Sequence, residues 1–184
     1  MEIIDTAIEA VKIVSPKRFG DERGFFSEVF RRDVMEQAGL PTDWVQDNHS
    51  HSSAAGTVRG LHFQARPFAQ DKLVRVVRGR ILDAAVDLRR SSRTYGHHVT
   101  VELSAENWRQ LLVPIGFAHG FCTLEPDTEV VYKVTAPYSA QHDLGLAWND
   151  PDIGIAWPVT DDAAVLSDKD RHQPRLADLS LYFD

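Results

Sequence analysis

Lys72-Leu73-Val74-Arg75-Val76-Val77-Arg78-Gly79-Arg80-Ile81-Leu82-Asp83-Ala84-Ala85-Val86-Asp87 sets the fold class. Both runs around the glycine are short and either β-branched or alternating, the pattern of strands. Gly79 between them reads as the turn of a hairpin or as a bulge. Residues 58–64 upstream, and 97–103, 110–114 and 128–134 downstream, have the same character. Gly, Pro, Asn or Asp separates most of them. Glu129-Val130-Val131-Tyr132-Lys133-Val134 mixes polar and apolar residues as a strand lining a barrel does. Helix signals are few. Residues 33–39 open on an acid and end on Gly39, which predicts one short helix, and 104–107 fits a single turn. From Pro151 on, prolines and aspartates predict a loop-rich tail with one short helix. The class is therefore all-β, and periodicity leaves jelly roll, lipocalin-like barrel and Ig-like sandwich open.

A chain of 184 residues with 43% hydrophobic content is one domain's worth of sequence and can bury its own core. Its one cysteine, Cys122, excludes an internal disulfide and a cysteine-rich metal site, and suits a reducing compartment. The formal net charge of −7 argues against general nucleic-acid binding, while leaving room for a locally basic pocket that takes a small anion. The first residues, Met1-Glu2-Ile3-Ile4-Asp5, carry acids where a secretory leader carries Lys or Arg. No apolar run approaches the roughly 18–20 residues of a membrane helix. The expectation is a cytoplasmic protein with neither membrane nor nucleic-acid partners.

Four clusters carry chemistry. In Arg59-Gly60-Leu61-His62-Phe63-Gln64, strand alternation puts Gly60, His62 and Gln64 on one face and Arg59, Leu61 and Phe63 on the other. His62 then points into polar surroundings, where an imidazole can act as general base. Lys72 heads the next strand and offers a cation for a developing oxyanion. Pro114-Ile115-Gly116-Phe117-Ala118-His119-Gly120-Phe121 reads as a constrained loop, with Gly116 and Gly120 permitting positive φ or close approach. His62 and His119 also suggest two ligands of a barrel metal, but only Gln64 stands near His62 as a further ligand, so no metal is assigned. Finally, Tyr132 can supply a proton from a strand, and Asp168 or Asp170 can hold a histidine tautomer.

Taken in order, these blocks resemble the dTDP-4-dehydrorhamnose 3,5-epimerase family. Further blocks extend the resemblance over nearly the whole chain: Phe19-Gly20-Asp21-Glu22-Arg23-Gly24-Phe25-Phe26, Gln46-Asp47-Asn48, Leu103-Ser104-Ala105-Glu106-Asn107, Trp148-Asn149-Asp150-Pro151 and Lys169-Asp170. The resemblance implies a cupin-type jelly roll, residues 1–184 forming one epimerase domain, and a homodimer that exchanges N-terminal segments. It implies no metal or nicotinamide cofactor, and a dTDP-4-keto-6-deoxyhexose substrate. It places the base on His62, its carboxylate partner on Asp170, the cation on Lys72 and the acid on Tyr132. Diphosphate and sugar contacts fall on Arg59, His119, Gln46 and Asn48. Arg23, Phe26 and Glu28, from the partner chain, fall at the nucleotide, and Tyr138 stacks on thymine. The expected reaction is epimerisation at C3 and C5. The alternatives are a single-position epimerase, a metal-dependent cupin oxygenase and a catalytically silent binding module.

Overall fold

The structure is a computed structural model describing residues 1–184. The chain starts with β1 (Glu2–Asp5) and β2 (Lys12–Ser15), followed by a two-stranded arm, β3 (Arg18–Asp21) and β4 (Gly24–Ser27), and a helix, α1 (Arg32–Gln37). Nine strands follow: β5 (Gln46–Ser52), β6 (Val58–Gln64), β7 (Lys72–Arg78), β8 (Arg80–Asp87), β9 (His98–Ser104), β10 (Gln110–Val113), β11 (Phe117–Thr123), β12 (Thr128–Val134) and β13 (Asp143–Gly145). A second short helix, α2 (Asp168–Arg171), lies in the tail. One sheet has the order β1-β2-β10-β7-β12-β5 and the other β13-β6-β11-β8-β9. Neighbours are antiparallel throughout, and the two sheets face each other as a jelly roll.

Gly79 is neither a hairpin turn nor a bulge. β7 pairs with β10 and β12, whereas β8 pairs with β9 and β11, so the glycine carries the chain from one sheet to the other. Its φ is +76°, and a Cβ there would stand 2.3 Å from Thr128 Oγ1, so any side chain would collide with β12.

The stretch expected to be a loop is also different. Residues 117–123 are β11, buried along its whole length at the centre of the five-stranded sheet. Its glycine and histidine serve packing and chemistry inside a strand. Gly120 lies against Gly60 of β6: a Cβ on Gly60 would be 2.6 Å from Gly120 Cα. This contact accompanies a register shift, with His119 opposite His62 but Phe121 opposite Arg59. The extra residue on β6 is a bulge, and it resets side-chain alternation.

The polar strand β5 gives no apolar signal, yet it pairs with β12 from Ser52↔Thr128 to Gln46↔Val134. Between the sheets a cluster including Val74, Val76, Ile81, Leu103, Leu111, Phe117 and Val130 forms the main core. A second cluster, including Leu61, Phe63, Ile153 and Phe183, lies where the tail covers the outer side of β6. Leu61 and Phe63 thus face the tail, which turns His62 inward. Where the inter-sheet space is lined by polar side chains instead of this core, it opens as a cavity.

Candidate active site

The cavity has a volume of about 470 Å³ and is walled by both sheets and the tail. β6 contributes Arg59 and His62, β7 Lys72, β11 His119 and β12 Tyr132, and the tail closes it with Ser167 and Asp170. A side chamber of about 170 Å³ shares His62, Lys72 and Tyr132 and adds Gln46, Asn48, Tyr138, Asp143 and Lys169.

His62 Nε2 lies 2.5 Å from Asp170 Oδ1. His62 keeps 30% of its side chain exposed to the cavity, while Asp170 keeps 4%. Asp170 sits on α2, where its backbone N–H donates to Ser167 Oγ at 3.2 Å. Burial works against the Asp170 carboxylate. The His62 hydrogen bond and charge, with Ser167 and the Gly60 amide, outweigh it and hold the carboxyl below its usual range. Asp168 is exposed, and its carbonyl accepts from His172 Nδ1. The arrangement suits a base whose imidazole is oriented by a buried carboxylate.

Lys72 is buried, and its Nζ donates to the His62 carbonyl at 3.2 Å. Burial pushes it down to about 8; Asp143 and Asp83 pull the other way and Lys169 adds to the fall. At neutral pH it remains a cation in poorly solvated surroundings, where its charge acts strongly on a nearby oxyanion. Tyr132 is held protonated by burial, opposed by Arg59 and reinforced by Asp143. Asn48 stands directly across from it on β5. His62 and Tyr132 belong to different sheets, so they reach the cavity from opposite walls.

One expectation needs correction. Alternation placed Arg59 with Leu61 and Phe63, but it lines the cavity with His62, because the bulge on β6 reverses its side. It is anchored by Nε to Ser52 Oγ at 3.1 Å and by Nη2 to the His51 carbonyl at 2.9 Å. Gln46, expected at the sugar, lines the side chamber, where it donates to Asn48 Oδ1 at 2.7 Å and accepts from the Tyr138 amide at 3.0 Å.

Arg23, Phe26 and Glu28 are not among the residues lining the cavity. Arg23 and Phe26 are exposed on the β3–β4 arm, where Arg23 bonds Asp21; Glu28 lies just beyond it beside Arg31. His119 is buried and its Nε2 lies 2.6 Å from Asp83 Oδ1. Asp83 Oδ2 has no partner. Nor does Ser50 Oγ, on the cavity wall. Sequence reading missed Asp83, although a carboxylate inside Ile81-Leu82-Asp83-Ala84-Ala85 was a signal. It also missed Asp143 and gave no role to Lys169 of the Lys169-Asp170 block; the two pair at 2.5 Å in the side chamber. No three His, Cys, Asp or Glu side chains are grouped as a metal would need. No helix is long and apolar enough to cross a membrane.

A jelly roll enclosing an imidazole–carboxylate pair, a buried ammonium and a protonated phenol defines a proton-transfer enzyme. Comparison narrows the class. Residues 5–178 match the family model described as dTDP-4-dehydrorhamnose 3,5-epimerase. The chain is 56% identical over 177 residues to a dTDP-4-dehydrorhamnose 3,5-epimerase from Sinorhizobium fredii, covering 96% of this chain and 90% of the relative. A crystal structure of the Bacillus anthracis enzyme of that name, with TDP and PPi bound, matches with TM-score 0.91 and 52% identity, covering 95% of this chain and 98% of that one. The dTDP-6-deoxy-D-glucose-3,5-epimerase of Legionella pneumophila, in complex with dTDP-4-keto-L-rhamnose, matches with TM-score 0.93 and 42% identity over 97% and 94% of the chains. The chain belongs to the dTDP-4-dehydrorhamnose 3,5-epimerase family and is an isomerase.

Proposed function

We propose that this chain epimerises C3 and C5 of dTDP-4-dehydro-6-deoxy-D-glucose, giving dTDP-4-dehydro-L-rhamnose. The observation that carries the reading is the placement of His62 and Tyr132 on opposite walls of one cavity. A sugar between the sheets presents one face to each. Neutral His62 takes the C–H proton beside the C4 ketone, and Asp170 holds the resulting imidazolium. The C–H electron pair moves into a carbon–carbon double bond, and the carbonyl oxygen becomes an enolate oxygen stabilised by Lys72. Tyr132 gives its proton to the carbon from the other face. That closes an inversion with no net change in oxidation state. Each round ends with the proton passing to solvent from His62 and the tyrosine being reprotonated.

Arg59 and His119 supply the diphosphate contacts. Asn48 contacts the sugar, and Tyr138 is a platform for thymine. Arg23, Phe26 and Glu28 reach the nucleotide of a second copy. This part of the reading draws support from the β3–β4 arm, whose Phe19, Phe25 and Phe26 are all exposed. The active form is then a homodimer of single-domain chains with exchanged arms. A cytoplasmic site of action fits the free, buried Cys122.

Incubation with dTDP-4-keto-6-deoxyglucose in D2O tests the reaction. Deuterium and inversion at both C3 and C5 are the expected result. Deuterium and inversion at one carbon alone would make the chain a single-position epimerase instead.

A further inference from the structure

Four consecutive residues, Ala136 to Ser139, are held by the side chains of three glutamines. Gln70 Nε2 donates to the Ala136 carbonyl at 2.7 Å. Gln64 Nε2 donates to the Pro137 carbonyl at 3.1 Å, and Gln64 Oε1 accepts from the Ser139 amide at 2.7 Å. Gln46 Oε1 accepts from the Tyr138 amide at 3.0 Å. The three come from the start of β5, the end of β6 and the loop after β6. Gln64 is 4% exposed, and its second Nε2 bond, to the Phe68 carbonyl at 2.7 Å, fixes its own orientation.

The residue at the centre of this segment has no comparable packing. Tyr138 is 60% exposed, and its phenol reaches only Asp143, at 3.1 Å. An exposed aromatic ring can act as a platform only if its backbone is held still, because ordering it on ligand arrival costs affinity. A glutamine side chain can donate and accept at once, so it can secure a strandless segment much as a neighbouring strand would. All the bonds go to backbone atoms, and the side chains of Ala136 and Pro137 take no part in them.

We infer that Gln46, Gln64 and Gln70 form a clamp that positions Tyr138 for the nucleotide base, and that Gln64 is its central member. This rests on the nucleotide-sugar reading above. Gln64 has the position of a residue two along from the base His62, yet its amide is turned to the 136–139 segment. Its effect therefore falls on binding and is routed through Tyr138.

The test is a double-mutant cycle read by dTDP titration and by kcat and KM for the keto sugar. Gln64→Leu and Gln70→Leu each weaken dTDP binding about 3–10-fold, the worth of one or two hydrogen bonds, with kcat near wild type. In a Tyr138→Ala background neither adds a further loss. If Gln64→Leu does not fold, Gln70→Leu, which removes one bond at a partly buried site, answers the same question. Losses that multiply with that of Tyr138→Ala, or a fall in kcat with dTDP affinity kept, would overturn the clamp. Unchanged dTDP binding in both leucine variants, with wild type binding normally, would overturn the clamp alone. Wild-type protein that binds no dTDP would overturn the nucleotide reading and the clamp's role with it.

Discussion

His62 and Tyr132 line one cavity from different sheets, His62 on β6 and Tyr132 on β12. The sandwich itself therefore separates the group proposed to remove a proton from the group proposed to return one. The consequences of that separation can be measured residue by residue.

His62→Asn should lose epimerisation and also lose hydrogen exchange with solvent at the sugar. The expected fall is at least about 10²–10⁴-fold, the usual worth of a general base. Retained exchange in this variant would remove His62 from the role.

Asp170→Asn should lower kcat by roughly 10²-fold or more, because the imidazole loses the group that orients it and stabilises its charge. Binding of dTDP should stay close to wild type, since the carboxylate is spent on His62 at 2.5 Å. Asp168→Asn, at an exposed position, should behave like wild type. The reverse ranking of the two variants would show that the carboxylate has been misassigned.

Lys72 predicts the alkaline side of the pH profile. Its charged form is the one proposed to stabilise the enolate, and burial has brought it down to about 8. Activity should therefore fall as pH rises through about 8. Burial holds the Tyr132 phenol above its ordinary value, so its deprotonation comes later. Lys72→Arg should weaken catalysis but move the alkaline limb upward, because a guanidinium stays charged. A limb that stays near 8 in the arginine variant would assign it to another group.

Asp87 supplies a test of stability away from the chemistry. It is fully buried and accepts from Arg89, Ser92 and Thr94. Burial opposes its charge, but these bonds prevail and bring the carboxyl down to about 2. The stabilisation is full above the ordinary carboxylate range near pH 4, and is lost as pH falls toward about 2. Asp87→Asn should cost about 1–3 kcal/mol at neutral pH and flatten the acid limb of an unfolding curve between those pH values. An acid limb identical to wild type would show that Asp87 is not the linked group.

The strands β6, β7, β8 and β12 were legible because each is a short apolar or alternating run with a glycine, proline or aspartate at its end or within three residues of it. β5 was not, because Gln46-Asp47-Asn48-His49-Ser50-His51-Ser52 owes its strand character to pairing with β12. β11 was misread because Gly116, His119 and Gly120 locally imitate a loop, and only the opposing Gly60 reveals why a strand needs Gly120. The same contact hid the bulge that turns Arg59 inward. Among the site residues, the pairing of His119 with Asp83 needed the register of β8 against β11, which no local pattern specifies. The clamp on Tyr138 likewise joins residues about 70–90 positions apart in sequence.

Tyr132→Phe in D2O tests the two-wall account most directly. The change removes one hydroxyl and is mild for packing, so the fold should survive. His62, Asp170 and Lys72 remain, and His62 can still remove a proton and return deuterium to the same face. NMR of the recovered sugar should then show deuterium incorporation with retained configuration, and inversion far slower than exchange. Inversion at the wild-type rate would contradict the account, as would exchange and inversion vanishing together.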